Sequence, residues 1–279
     1  MSLAILIVPY EVDRDDTPIA RAPEEMIARG FDKKLRRRGF ALACRRIRAP
    51  AGGDKLETVA SLAREIARRV AMAREEDRFP VILSGSCMSA LGVITGLRQP
   101  GRRASVLWID AHGDFNDEES SPSGYWDGMS LGALCGRSLP TLRELAQTIE
   151  LPGRRVAHLG GRSLDPPEVE AFREENVLCL GPHALARGAG VEQLRKRLGT
   201  ARDVYLHIDL DGLDPQDAPA VAFPEIGGIR LEDLKRALVA LPPPAAVTFS
   251  AMSFAGAGPA KVLRTLGACV EILETLIPE

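Results

Sequence analysis

Short apolar runs alternate along the chain with longer segments whose apolar residues recur every three or four positions. The short runs predict strands, and they are LAILIVP, PVILSG, SVLWID, VAHLG, VYLHIDLD and AAVTFSAM, beginning at residues 3, 80, 105, 156, 204 and 245. The longer segments predict helices at residues 23–39, from Asp54 onwards, and at 166–175, 191–198, 231–241 and 259–276. In the first helix, Pro23 is expected near the first turn and Gly39 just beyond the end.

Strands that alternate with helices are typical of α/β proteins. We therefore predict one domain over residues 1–279, with a three-layer αβα fold and a mostly parallel, doubly wound sheet. In such folds ligands bind outside the carboxyl ends of the strands. Residues 117–128 are rich in turn formers, and we expect this loop to lie at that edge.

The amino-acid composition excludes several classes of function. The chain has 36 basic and 38 acidic residues, interspersed, with a formal net charge of -2. No broad cationic face is expected, so we predict neither a nucleic acid nor a membrane partner and favour a small-molecule substrate. Its apolar runs are far shorter than the roughly 20 residues that span a bilayer. Acidic residues follow the first run, unlike a signal peptide, and the five cysteines are scattered singly, so a cytoplasmic location is expected.

Carboxylates are concentrated directly after two of the predicted strands. Asp110, His112 and Asp114 are spaced by two residues, and Asp209 and Asp211 repeat that spacing after a later strand. Residues two apart on an extended chain point to the same side, so these groups are expected to converge. Such a cluster would repel itself and lose hydration without cations. Oxygen ligands with an imidazole favour Mn²⁺ or Mg²⁺ over Zn²⁺.

These stretches resemble a known family. The segments DAHGDFND and HIDLDGLDPQDAPAV are similar to the two aspartate motifs of the arginase/agmatinase/formimidoylglutamase superfamily, the ureohydrolases. Residues 227–234, GGIRLEDL, resemble the segment that follows the second motif, and the likeness runs from about residue 80 to the end. The resemblance implies an arginase-like fold, two Mn²⁺ ions per chain, a homo-oligomer, and hydrolysis of linear C–N bonds in guanidino or amidino compounds by a hydroxide that bridges the metals.

The resemblance also implies roles for individual residues. Asp110 and Asp209 would bridge the metals, Asp114 would complete the first site, and His112 with Asp211 the second. The remaining implied roles are substrate binding for Asn116, Ser123 and Asp127, catalysis for Asp114 and Asp127, and orientation of a metal ligand from outside the coordination sphere for His207.

Cys87 marks the first departure from the family. The usual first motif is Gly-Gly-Asp-His-Ser, and this chain has SGSCMS at residues 84–89, with Cys87 at the position of the histidine ligand. A thiolate is a soft ligand that suits zinc better than manganese, so the first site is expected to be weaker. The alternative is a neutral thiol that fills the space.

The second departure lies in SPSGYWDGM, residues 121–129. Arginases have Ser-Gly-Asn-Leu-His-Gly here, and Asp127 stands at the position of their histidine proton shuttle. A carboxyl group at this position would shuttle protons or bind a cationic substrate. The alternative is a turn aspartate before Gly128.

The third departure is the absence of the glutamate with which ureohydrolases hold a guanidinium at the end of the last strand. Residues 247–259 contain no carboxylate, and the aligned position is Ser250, Ala251 or Ser253. Three explanations remain open: another carboxylate such as Asp127 supplies the charge, the substrate is neutral, or the site no longer turns over.

One branch of the family shares two of these changes. The segments SGSC, HGDFND, SGYWDGM and HIDLD resemble bacterial arginase-like enzymes that hydrolyse N-hydroxyarginine. We therefore favour a metal-dependent hydrolase. The alternative is a non-catalytic family member with a binding or regulatory role. A nucleotide-binding domain is disfavoured because no glycine-rich phosphate loop follows the first strand.

Overall fold

A computed structural model describes residues 2–12, 14, 16–50, 52–98, 104–186, 188–199, 201 and 203–277. Its strands are β1 (Ser2–Val8), β2 (Ala41–Arg46), β3 (Phe79–Ser84), β4 (Ala104–Ile109), β5 (Val156–Leu159), β6 (Leu178–Leu180), β7 (Asp203–Asp209) and β8 (Pro244–Ser250). They form one sheet in the order β2-β1-β3-β8-β7-β4-β5-β6, and every pairing is parallel. This confirms the α/β class, with a sheet that is wholly rather than mostly parallel.

Helices cover both faces of the sheet. They are α1 (Pro18–Ala28), α2 (Phe31–Arg37), α3 (Lys55–Glu75), α4 (Ser89–Gly96), α5 (Ser130–Leu134), α6 (Pro140–Ala146), α7 (Pro166–Glu174), α8 (Ala189–Leu198), α9 (Leu231–Val239) and α10 (Pro259–Leu276). Alternate residues of β1 enter opposite cores: Leu3 and Ile5 pack with α1, α2 and α8–α10, while Leu6 and Val8 pack with α3–α7. This division of apolar residues between two faces produces the predicted three layers.

The prediction of one helix over residues 23–39 is wrong. The chain forms α1 and α2, separated at Gly30, whose φ of +87° is a left-handed conformation that ends the first helix. Pro23 lies inside α1 rather than in its first turn, because the helix begins earlier, where the Thr17 side chain accepts a hydrogen bond from the Ala20 N–H. Gly39 lies beyond α2, as expected.

The two edge strands, β2 and β6, were not predicted. β2 has the sequence ALACRR, and it is largely exposed because it borders the sheet and carries arginines. β6 is three residues long. Short and charged strands are common at sheet edges, where they limit pairing with other chains, and they lack the continuous apolar pattern of a buried strand.

Helix α4 packs closely against α3 because two of its residues are glycines. A methyl group at Gly92 would overlap the carbonyl oxygen of Ala63, and one at Gly96 would overlap that of Ala67. The turn between β3 and α4, which contains Cys87, leads directly into this closely packed helix. Among the helices described, none combines the length and apolar character needed to cross a membrane.

Candidate metal centre

The two acidic motifs leave neighbouring strands at the carboxyl edge of the sheet. Ile109 of β4 pairs in register with Ile208 of β7, so Asp110 and Asp209 follow side by side. The indole nitrogen of Trp108 donates to Oδ2 of Asp110 at 3.1 Å. The parallel register therefore places one carboxylate from each motif at a common point.

The chain turns after β4 instead of staying extended, as the spacing had suggested. The backbone N–H of His112 donates to Asp110 Oδ1 at 2.7 Å, and Asp114 has a φ of +51°. The Ser130 hydroxyl donates to Oδ2 of Asp114 at 3.0 Å. A left-handed turn, rather than strand geometry, thus brings Asp114 back to the centre.

Three side chains form a cluster with the geometry of a cation site. Asp110, His112 and Asp211 each contribute one ligand atom, and these atoms lie within 4.8 Å of one another. His112 Nδ1 is 3.3 Å from Asp211 Oδ2 and 3.5 Å from Asp110 Oδ1. The backbone N–H of Asp211 donates to Asp209 Oδ1 at 3.1 Å, which joins the fourth residue to the cluster.

The protein keeps several negative charges close together away from water. Burial, with a contribution from Asp211, raises the pKa of Asp110 to about 6, although His112 opposes this shift. Burial and the neighbouring aspartates raise the pKa values of Asp114 and Asp209 well above the ordinary range. Burial lowers the pKa of His112, but its hydrogen bonds to Asp110 and Asp211 outweigh burial and raise the pKa to about 12.

The raised pKa values of these aspartates indicate that the cluster of carboxylates lacks neutralising positive charge. Four buried carboxylates in one place are costly unless cations neutralise them. Carboxylate oxygens with one imidazole are a donor set that suits a hard divalent cation such as Mn²⁺. The residues present, Asp110, His112, Asp114, Asp209 and Asp211, therefore fit the metal centre that the sequence predicts.

Cys87 lies at the same centre, in the turn between β3 and α4. Its Sγ is 3.4 Å from Asp209 Oδ2 and 3.5 Å from Ser250 Oγ. Burial and the charges of Asp114 and Asp209 raise the pKa of this thiol well above its usual value. The thiol is therefore neutral until a cation binds beside it, and a cation would favour the thiolate.

His207 contacts the centre through Ser250 rather than through a carboxylate. Its Nε2 is 3.1 Å from Ser250 Oγ, and its Nδ1 is 2.9 Å from the Tyr205 hydroxyl. Its ring stacks on Trp108 with a centroid separation of 3.6 Å. Burial lowers the pKa of His207 to about 3, so the ring is neutral and serves as a hydrogen-bonding group.

A cavity of about 290 Å³ opens above the acidic cluster. The predicted residues that line it are Cys87, His112, Asp114, Asn116, Ser123, Asp127, Asp209 and Asp211. Asp110 and His207 lie behind this surface and do not line the cavity. Residues 121–123 and 125 also line it, which places the predicted turn-rich loop at the carboxyl edge of the sheet.

Asp127 is firmly held in the cavity wall. Oδ1 accepts from the Ser86 hydroxyl at 2.5 Å and from the Met88 N–H at 3.3 Å. Oδ2 is 2.9 Å from the Tyr125 hydroxyl. Burial raises the pKa of Asp127 to about 6. These contacts give Asp127 a place in the site beyond that of a turn residue before Gly128.

The end of β8 shows how the chain differs where the family has its glutamate. Ser250 is buried against His207, and Ala251 lines the cavity with a φ of +53°. The position that faces the cavity therefore carries a methyl group. A guanidinium placed there would meet no carboxylate from this strand.

The sequence analysis missed two carboxylates that line the cavity, Asp165 and Glu168. They follow β5, and Glu168 accepts backbone N–H bonds from Phe115 and Asp165 at 2.9 Å each. Asp165 Oδ2 accepts from the Asn116 amide at 2.8 Å. The rule applied to β4 and β7, that carboxylates directly after a strand reach the site, does not find them, because Asp165 lies at the start of α7 and Glu168 lies within it.

Arg162 was also missed. Its guanidinium donates to the carbonyl oxygens of Asp211 at 2.6 Å and of Glu225 at 2.8 Å. It thereby ties the backbone of the turn that carries Asp211 to the loop that carries Phe223, another cavity residue. No pattern in the sequence around Arg162 indicates this role, because its partners are backbone atoms.

Comparison with known proteins agrees with this geometry. The sequence profile of the arginase family matches residues 3–254. The arginase of Bacillus caldovelox is 35% identical over 179 residues, which are 62% of this chain and 60% of that protein. The arginase of Brevibacillus brevis is 28% identical over 242 residues, or 82% of this chain and 81% of that protein. The matched part of the first relative is thus less than two thirds of its length.

The solved structures extend the likeness to the whole chain. The crystal structure of arginase from Bacillus cereus superposes with a TM-score of 0.88 and 28% identity, covering 100% of this chain and 99% of that one. Its fold is therefore shared from end to end. The fold, the two aspartate motifs and the family profile agree, and the chain belongs to the arginase family.

Proposed function

We propose that the protein is a Mn²⁺-dependent hydrolase of linear C–N bonds in a small guanidino or amidino compound. The observation that supports this most strongly is the buried cluster of Asp110, His112 and Asp211, next to Asp209 and Asp114, at the base of an open cavity. Buried acidic clusters of this kind are costly to maintain, and a cation is the direct compensation. The arginases to which the chain is similar support the class of reaction.

The metal ligands would be Asp110, His112, Asp114, Asp209 and Asp211, with Cys87 at the first site. Two ions per chain are expected from the family, the first held more weakly because of the thiol. When bound, such ions acidify water and stabilise negative charge on the reacting group. The protein contributes the orientation of its carboxylates, which are fixed by Trp108 and by backbone N–H groups.

The cavity residues would bind the substrate and move protons. Asp114, beside Ser130 at the cavity floor, would accept a proton from water. Asp127 in the wall would give a proton to the nitrogen that leaves. Asn116 and Ser123 line the same cavity and would contact the rest of the substrate.

The first test is the metal content of the protein. Protein purified without chelator would be equilibrated with excess Mn²⁺, desalted, and measured by inductively coupled plasma mass spectrometry. We expect close to two manganese ions per chain, and loss of metal in D209N. D203N is the matched control, because Asp203 is a buried aspartate at the opposite end of the same strand. A manganese content near zero in the wild type would refute the proposal.

The second test is turnover. Manganese-loaded protein would be screened against guanidino and amidino compounds, with N-hydroxyguanidines first because of the resemblance in four motifs, and release of the amine would be measured. Hydrolysis that D209N abolishes and D203N retains would establish the activity.

A non-catalytic binding role is the second candidate. Ala251, at the cavity surface where the family has its glutamate, favours it. Metal binding without hydrolysis of any compound in the screen would support this candidate over the first.

A further inference from the structure

The Tyr125 hydroxyl lies between two buried carboxyl groups. Its oxygen is 2.8 Å from Glu11 Oε1 and 2.9 Å from Asp127 Oδ2. A phenol has one proton and donates it to one acceptor at a time. The second carboxyl oxygen therefore faces a lone pair of the phenol. Two oxygens at hydrogen-bond distance need a proton between them, so the second carboxyl group must carry its own.

Glu11 has hydrogen-bonding or ionic partners at both of its carboxyl oxygens. Oε2 accepts from the Thr17 hydroxyl, and Oε1 is 3.5 Å from the guanidinium of Arg14. Glu11 is fully buried in the loop after β1, and its contacts with Thr17 and Arg14 offset the loss of its hydration. Donation of the Tyr125 proton to Oε1 completes a set of donors around a carboxylate.

The partners of Asp127 fit a neutral carboxylic acid. Two donors other than the phenol, the Ser86 hydroxyl and the Met88 N–H, point to Oδ1. Oδ1 thus has the surroundings of a carbonyl oxygen, and Oδ2, whose one hydrogen-bond partner within the described part of the chain is Tyr125, has those of a hydroxyl. Two other ionisable residues act on this pair: Asp114, on the loop after β4, interacts electrostatically with Asp127, and Arg14 contacts both Glu11 and the Tyr125 ring.

We propose that Asp127 is a neutral carboxylic acid with its proton on Oδ2, and that Glu11 keeps the proton there by engaging the hydrogen of Tyr125. The chain of hydrogen bonds runs from Asp127 to Tyr125 to Glu11. Burial raises the pKa of Asp127 to about 6 even when Tyr125 donates to it. Donation of the phenol proton to Glu11 instead raises that pKa further.

This assignment decides between two roles for Asp127. A neutral acid does not hold a guanidinium as a carboxylate does, and it is ready to give a proton. The catalytic consequence rests on the proposed function: as the C–N bond breaks, its electron pair stays on nitrogen and takes the proton of Asp127. The attacking water loses a proton, which restores the acid, so the cycle consumes none. Glu11 and Tyr125 are positioning residues.

The test is the infrared spectrum of manganese-equilibrated protein with ¹³C in its aspartate carboxyl groups, titrated from pH 5 to 9. The C=O band of a protonated aspartate that disappears in D127N belongs to Asp127. We expect its midpoint above pH 6 in the wild type and at least one unit lower in E11Q, a tenfold loss of proton affinity. D165N is the control, since Asp165 lines the same cavity outside this chain of hydrogen bonds, and it should leave the band unchanged.

Y125F provides an independent measurement if E11Q does not fold. Without the phenol oxygen the Asp127 proton loses its acceptor, so the remaining C=O band should change frequency. A wild-type midpoint at or below pH 6, a midpoint unchanged in E11Q, or a band unchanged in Y125F would overturn the proposal. The spectrum requires no turnover, so failure of the hydrolase proposal and failure of this one are distinguishable.

Discussion

Cys87 is the residue whose chemistry departs most from its surroundings, because it places a soft sulfur among hard oxygen donors. Its Sγ is within 3.4 Å of Asp209. If the sulfur binds metal, C87S should lower affinity for zinc about 10–100-fold while affecting manganese less. Metal content after incubation with equal concentrations of the two ions measures this. C269S, at a second buried thiol in α10, is the control. An unchanged zinc-to-manganese ratio in C87S would show that the thiol only fills space.

Asp127 should make the metal-free protein sensitive to pH. Its pKa is raised to about 6 in the folded protein, above the ordinary value of 3.8, so the folded state binds more protons than the unfolded state between these values. The contribution of Asp127 to stability is therefore complete below pH 4 and is lost as pH rises through 6. The free energy of unfolding of wild type relative to D127N should fall by about 2 kcal/mol between pH 4 and 7.

Chemical denaturation of chelated protein at several pH values measures this difference. Comparison with D127N isolates the one carboxyl group from others with opposite shifts, such as Asp117 and Asp217. A difference that is constant with pH, or that rises, would contradict the raised pKa.

At the scale of elements, the contact between α3 and α4 depends on the absence of side chains. G92A should destabilise the protein by about 1–3 kcal/mol, because the new methyl group meets the backbone oxygen of Ala63 and the helices must separate. G267A provides the opposite case: nothing lies within 4 Å of a methyl group there, and Gly267 is inside α10. G267A should raise the free energy of unfolding by about 0.5–1 kcal/mol. Thermal unfolding of both variants tests the sign, and equal effects would contradict the packing.

The loop anchored by Arg162 is a second element whose position depends on few contacts. R162A should lower the free energy of unfolding by about 1–3 kcal/mol, because the carbonyl oxygens of buried Asp211 and half-buried Glu225 lose a charged donor. Limited proteolysis should then cut within residues 222–227 more readily, and manganese should dissociate faster. R264A is the control, since that arginine donates from an exposed position to the carbonyl of Gln216. Similar cleavage of R162A and R264A would show that Arg162 does not anchor this loop.

Elements with a strong apolar pattern were predicted well, and those at edges were not. The sequence pattern located β4, β7 and β8 and the bounds of α10, which are buried or strongly amphipathic. It joined α1 to α2 because a single glycine interrupts the apolar repeat without erasing it. It omitted β2 because an exposed edge strand with arginines has no buried face. In the site, the motifs identified the acidic cluster, whereas the role of Glu11 depends on a contact between distant segments, which no local pattern shows.

For the whole molecule, metal binding and folding should be linked. The carboxylates of the centre repel one another in the folded protein and are far apart in the unfolded chain, so a cation that binds only the folded state stabilises it. When the free Mn²⁺ concentration is 100 times the dissociation constant, binding at one site should raise the free energy of unfolding by about 2.7 kcal/mol. Calorimetry with increasing Mn²⁺ should show a rising Tm in wild type and D203N and a constant Tm in D209N. A constant Tm in the wild type would indicate that no metal binds.

Because Trp108 stacks on His207 beside the acidic cluster, its fluorescence can serve as a probe of metal binding. The chain has two tryptophans, and the other, Trp126, lies under the ammonium of Lys55 at 4.0 Å, on the loop beside the cavity. With Trp126 replaced by phenylalanine, all indole fluorescence comes from a ring that hydrogen-bonds Asp110 and stacks on His207. Paramagnetic Mn²⁺ beside that ring would quench its emission and diamagnetic Mg²⁺ would not, so occupancy could be followed in real time without a substrate.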